Sequence, residues 1–260
     1  MIFADTHSHL FTEEFDSDRS EVIERCRKAG VGLIVMPAID SVTHEKLLEC
    51  CRQWKGTLYP AMGLHPTSVD AGYEKELEIV GGLLEKHRDE IVAVGEIGLD
   101  KYWSTEFFNQ QLEALHFQIE LALKYDLPVI VHTRDAFGDM EKEIARYEGM
   151  GLKILFHGFS GDIRTYERLR AMDMDARFGV GGVVTFKNSS LPEAVREMDI
   201  QKIFLETDSP YLAPVPFRGK RNESSYIPLI AARIAEIKGM DVRDVAGITT
   251  SEAVKFFNIQ

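Results

Sequence analysis

Six side chains of metal-ligating type recur where apolar runs end: His7 and His9, Glu96, His132, His157 and Asp208. On extended chain, residues i and i+2 project to the same side, so His7 and His9 can reach one ion. Glu96 closes the run Val94-Gly95-Glu96. A carboxylate there is costly to bury unless it is paired or holds a cation, and its two oxygens can serve two cations. His132 and His157 follow Val129-Ile130-Val131 and Ile154-Leu155-Phe156. One histidine in such a place is ordinarily a hydrogen-bonded core residue, whereas two on neighbouring strands point to ligation. Asp208 follows Phe204-Leu205-Glu206-Thr207 and can both ligate and take a proton from an attacking water. Glu206, two residues earlier on the same side, reads equally as support for a ligand or as a structural carboxylate.

Mixed His and carboxylate ligands without Cys argue against a structural zinc site. A bridging Glu with histidines on either side suggests two divalent ions (Mg, Mn or Zn) about 3.5–4 Å apart, a pair that acidifies water and neutralises a phosphoryl oxygen. Glu96 and Asp208 are the candidate catalytic carboxylates. No Gly-x-Ser-x-Gly elbow is present, which weighs against an acyl-enzyme.

These residues need a scaffold that brings strand ends together. Short runs rich in Val, Ile, Leu and Phe predict strands at Ile2–Asp5, Gly32–Pro37, Thr57–Met62, Ile91–Glu96, Pro128–His132, Lys153–His157, Ala176–Gly179 and Lys202–Glu206. Their lack of strict alternation fits strands buried on both faces. Amphipathic runs between them predict helices over Arg19–Ala29, Val42–Trp54, Tyr73–Arg88, Asn109–Tyr125, Ala136–Tyr147, Ile163–Ala171, a short turn from Pro192, Tyr226–Lys238 and Val242–Asn258. Eight β/α alternations without a linker predict one α/β domain over residues 1–260, a single (β/α)8 TIM barrel whose active site lies where the strands end. A doubly wound sheet is the alternative, but no Gly-rich phosphate loop follows the first strand.

Composition bounds the rest. A net charge of −12 argues against a protein that coats nucleic acid, but not against an enzyme that grips one phosphate through cations. Three cysteines, Cys26, Cys50 and Cys51, form no CxxC and fit a reducing, cytoplasmic setting. The first ten residues lack the basic start and apolar stretch of a secretory signal, and no run suits a membrane span. No obligate protein partner is evident.

Further groups are candidates for holding substrate. His65 follows the third strand in Gly63-Leu64-His65-Pro66, and Arg134 lies just past His132. Phe217-Arg218-Gly219-Lys220-Arg221-Asn222 gathers three cations, of which Arg218 and Lys220 are assigned to a phosphate. Tyr102 and Trp103 suit either stacking on a base or packing under a loop. His44, His87 and His116 fall in helical runs and read as surface or packing residues.

In order and spacing the chain resembles the TatD family of metal-dependent deoxyribonucleases. The blocks are Asp5-Thr6-His7-Ser8-His9-Leu10, Gly63-Leu64-His65-Pro66, Gly95-Glu96-Ile97-Gly98-Leu99-Asp100, Val131-His132-Thr133-Arg134 and His157-Gly158-Phe159-Ser160-Gly161. Thr185-Phe186-Lys187-Asn188, Glu206-Thr207-Asp208-Ser209-Pro210-Tyr211-Leu212-Ala213-Pro214 and Arg218-Gly219-Lys220-Arg221-Asn222-Glu223 complete them. The resemblance implies an amidohydrolase-type barrel. In it His7, His9, Glu96 and Asp208 would hold one metal, and Glu96, His132 and His157 the second. It implies a deoxyribonuclease, a 3′-5′ exonuclease on single-stranded or frayed DNA ends. A two-metal hydrolase of another ester, a lactone or an amide is the alternative. Four places depart from the family's usual residues: Phe11, Gly158, Phe217 and Ser224-Ser225.

Overall fold

The computed structural model describes residues 1–259. Eight strands run parallel and are hydrogen-bonded in chain order: β1 (Phe3–Asp5), β2 (Val31–Pro37), β3 (Leu58–Met62), β4 (Ala93–Asp100), β5 (Val129–Arg134), β6 (Lys153–Phe156), β7 (Asp175–Val180) and β8 (Ile203–Leu205). Helices α1 (Arg19–Lys28), α2 (Ser41–Gln53), α3 (Tyr73–Lys86), α4 (Phe108–Tyr125), α5 (Phe137–Ile144), α6 (Ile163–Ala171), α7 (Leu191–Glu197), α8 (Ile227–Lys238) and α9 (Val242–Phe256) surround them. The sheet closes on itself at its C-terminal end: Thr6 N donates to Leu205 O at 2.9 Å, and Ser8 bridges to Ser209. This is the (β/α)8 TIM barrel that the alternation predicted.

The period of two divides the strands between two cores. Ala4, Leu33, Val35, Ala61, Ala93, Ile130, Leu155 and Phe204 fill the barrel interior. Their neighbours, including Phe3, Ile34, Met36, Val94, Val129 and Ile154, face the helices. Phe256 and Phe257, at the end of α9, join the interior set, with Phe256 edge-on to Phe204 at 5.3 Å. Aromatic packing therefore fills the barrel from below and leaves the polar strand ends at the other mouth. None of the described helices is long and apolar enough to cross a membrane.

The strand that departs most from expectation is β4. It was expected to stop at Glu96 and instead continues to Asp100, pairing Gly98 with His132 and Asp100 with Arg134. Gly98 permits this. Its φ is +148°, and a Cβ there would lie 2.0 Å from His132 O. Gly98→Ala is expected to cost roughly 3–5 kcal/mol, from overpacking against a strand that cannot yield plus the strained backbone. An unfolding free energy from urea titration within about 1 kcal/mol of wild type would refute this. Other boundaries differ by a few residues, where helix ends tighten into 3-10 turns, as at Ala145–Tyr147 after α5.

Candidate metal centre

The six expected ligands converge, with Glu96 at the middle. Its carboxylate is buried, and its two oxygens face different partners. Oε2 lies 3.1 Å from His7 Nε2 and 3.6 Å from His9 Nε2. Oε1 lies 3.2 Å from His132 Nδ1, 3.5 Å from His157 Nε2 and 3.3 Å from His65 Nε2. Asp208 Oδ1 stands 3.7 Å from Nε2 of both His7 and His9. Its backbone is held at φ 54°, a left-handed conformation sparsely populated by residues with a Cβ. His7 and His9 meet at 3.1 Å between their Nε2 atoms, and His7 stacks on His157 with ring centres 3.5 Å apart.

The donor set fits cations. Burial drives His7 well below its ordinary pKa and His9 down to about 4, so both are neutral at pH 7. Two neutral rings then aim nitrogens at each other and at one buried carboxylate. Their Nδ1 atoms have no hydrogen-bond partner among the described residues. Such a cluster of buried acceptors is costly unless positive charge lies between them. Burial would raise Glu96, but His7, His65, His157 and His132 outweigh it and hold the carboxyl well below its usual range. Burial raises Asp208 to about 7. Burial would lower His157, yet Glu206 and Glu96 lift it to about 10.

The groups facing the far side of each ring sort its role. His132 Nε2 lies 2.8 Å from Asp100 Oδ2, and Asp100 Oδ1 accepts from Tyr102 N (2.9 Å) and Trp103 N (3.0 Å). An N–H donated to Asp100 leaves the Nδ1 lone pair facing Glu96, as a ligand requires. His157 Nδ1 faces Glu206 Oε1 at 3.3 Å, which leaves Nε2 for the centre. Glu206 is itself fixed by Gly158 N at 2.7 Å. A Cβ on Gly179 would lie 1.9 Å from Glu206 Oε2, so that glycine is the space Glu206 occupies. His65 is the opposite case. Its Nδ1 accepts from Thr67 N at 3.1 Å, so the neutral ring carries its proton on Nε2. Distance alone groups His65 with Glu96 and His132 as metal-competent. The tautomer instead makes it a hydrogen-bond donor, the role expected of a substrate contact.

Asp100 is absent from the sequence-based candidates. The signal was present: Glu96, Gly98 and Asp100 alternate with the apolar Ile97 and Leu99, which extends the strand period past Glu96.

The expected cations separate into two kinds. Arg134 is exposed, with its guanidinium 3.6 Å above the Tyr102 ring. Arg218 is exposed over Phe186 at 3.7 Å, and Lys220 is exposed near Phe217. Among the described residues none of the three forms a salt bridge. Arg221 differs, donating to both oxygens of Asp18 at 2.8 and 2.6 Å, so it anchors the loop to the start of α1. Asn222 ties the loop's ends, donating to Thr207 O and Tyr211 O at 2.7 Å each. His44, His87 and His116 lie on or beside helices and bond Gly63 O, Glu90 and Glu143 respectively.

Three of the four departures fall in packed positions, and Gly158 is exposed. Phe11 is buried, Phe217 stacks on Tyr226 with ring centres 4.3 Å apart, and Ser224 Oγ lies 3.1 Å from Ser8 Oγ. Gly158 takes a left-handed φ of 56°.

The model of the TatD related DNase family matches residues 4–258. An uncharacterized metal-dependent hydrolase of Bacillus subtilis, YabD, is 37% identical over 260 residues, the whole of both chains. Human deoxyribonuclease TATDN3 is 31% identical, covering 97% of this chain and 93% of its own. The crystal structure of YjjV, a TatD homolog from Escherichia coli, superposes with a TM-score of 0.92 at 30% identity, covering 99% of this chain and 98% of that one.

Proposed function

The chain belongs to the TatD related DNase family, and from that premise we propose that it is a divalent-metal-dependent phosphodiesterase acting on DNA, most simply as a 3′-5′ exonuclease on unpaired ends. The observation that carries this reading is the split of Glu96, with Oε2 on the His7–His9 side and Oε1 on the His132–His157 side. One carboxylate between two nitrogen sets suits two cations sharing a bridge.

In this reading His7, His9, Glu96 and Asp208 would hold one ion, and Glu96, His132 and His157 the other. When bound, the two ions supply Lewis acidity toward water and toward the phosphoryl oxygens. Asp208, whose Oδ1 stands 3.7 Å from the Nε2 atoms of His7 and His9, accepts the proton of the attacking water. His65 donates its Nε2 proton in a hydrogen bond to a phosphoryl oxygen that gains charge. Arg134, Arg218 and Lys220, without salt bridges among the described residues of a chain of net charge −12, hold the phosphates on either side. Asp100 and Glu206 fix the rings of His132 and His157.

The test is nucleotide release from single-stranded DNA labelled at either end, in Mg, Mn or Zn and with a chelator. Metal-dependent release that starts from the 3′ end is expected. A fully metal-loaded protein that releases nothing, yet turns over a carboxylic ester or lactone, would overturn the nucleic-acid assignment.

A further inference from the structure

The turn after β4 carries two large aromatics that the metal centre does not use. Tyr102 is 53% exposed and Trp103 70% exposed. Scattered exposed apolar side chains are ordinary on a protein surface. These two are adjacent, meet edge to face at 5.1 Å and 88°, and have Arg134 over Tyr102 at 3.6 Å and beside Trp103 at 5.6 Å. Leaving Tyr and Trp in water forgoes the burial and stacking that usually dominate their energetics. Both sides of this cluster are tied to the centre. Tyr102 N and Trp103 N hold the carboxylate that holds His132. Arg134 is the register partner of Asp100 across β4 and β5. The aromatic faces and the unpaired cation therefore stand on the rim of the mouth, one hydrogen-bonded side chain away from a ring that faces Glu96.

Building on the nuclease reading, we infer that Tyr102, Trp103 and Arg134 form a stacking platform for an unpaired base of the strand being cut, with Arg134 also meeting that nucleotide's phosphate. A planar guanidinium on an aromatic face gives a second flat surface and a charge complementary to the backbone. Every base offers a π-face, so such a platform is tolerant of sequence. A base within a duplex is already stacked on both sides, and freeing it costs unpairing energy. The platform thereby selects unpaired ends by stacking, without reading base edges.

The test uses the metal-loaded full chain and two cleavage-resistant phosphorothioate strands of equal length and charge, one oligothymidylate and one abasic. Trp103 is one of two tryptophans, so Trp54→Phe isolates its fluorescence. The thymidylate strand is expected to quench that fluorescence saturably and the abasic strand to leave it unchanged. The thymidylate strand should also bind about tenfold more tightly, as stacking of one base implies. Trp103→Ala is expected to erase the difference between the strands, and Trp103→Phe to restore most of it. Equal affinities without quenching would overturn the platform while leaving the nuclease reading in place. Failure of both strands to bind would overturn both.

Discussion

Glu96→Gln is expected to lower turnover by ~1,000-fold or more and to strip most of the bound metal, because it removes the charge that both nitrogen sets share. The amide keeps the shape of the side chain but not its anion. Five imidazole nitrogens, from His7, His9, His65, His132 and His157, lie within 3.6 Å of the Glu96 oxygens. Without the anion the His132–His157 side offers an incoming cation no carboxylate, the His7–His9 side offers Asp208 alone, and an amide N–H2 facing either set repels it. The fold should survive, since glutamine keeps the shape of this buried side chain and both apolar cores are untouched. Metal content by plasma mass spectrometry, circular dichroism and turnover together test the claim. Wild-type metal content with more than a tenth of wild-type turnover would refute the bridge.

Asp208→Asn is expected to behave differently: a fall of ~100- to 10,000-fold in kcat, the range for loss of a positioned general base, with a smaller loss of metal. Its Oδ1 touches only the His7–His9 side, at 3.7 Å from each ring, so the His132–His157 side keeps its ligands. The pH dependence follows from the direction of its shift. Burial lifts the Asp208 carboxyl to about 7 in the ion-free protein, so it holds a proton below that pH. A base must be deprotonated, and a cation must displace that proton to bind. Turnover and metal affinity should therefore both fall as pH drops through this region. A bound cation lowers the carboxyl's pKa, so the acid limb of the loaded enzyme lies below 7. Removing the carboxylate should erase that limb from the kcat profile. An unchanged limb in the variant would assign it to another group, and an unchanged kcat would remove Asp208 from the chemistry.

The parts of the centre visible in sequence are those governed by strand period and strand end. His7 with His9, His132, His157 and Asp208 each follow an apolar run, and a barrel brings such ends together. Asp100 was lost because the strand was read as ending at Glu96, although the missing Cβ of Gly98 lets it continue against His132. His65 could be placed at the mouth, but its role depends on which nitrogen Thr67 occupies, a matter of three-dimensional hydrogen bonding. Arg221 reads in sequence like Arg218 and Lys220. Its partner Asp18 is 203 residues away, and nothing local marks the pairing. The alternatives left open for Tyr102 and Trp103 were separated only by their exposure.

The seam of the barrel has a consequence for synthesis. The hydrogen bond from Thr6 to Leu205 and the bridge from Ser8 to Ser209 join the first strand's exit to the last one's. His7, His9 and Asp208 sit on that seam. A chain emerging from the ribosome exposes the His-x-His pair about 200 residues before Asp208, so the seam cannot form until that intervening chain has been made. Closing so long a loop is entropically expensive and comes late. Through that stretch of synthesis the two histidines stand without the Asp208 carboxylate. A metal-dependent hydrolase assembled in this order acquires its hydrolytic competence in the same event that seals its last strand.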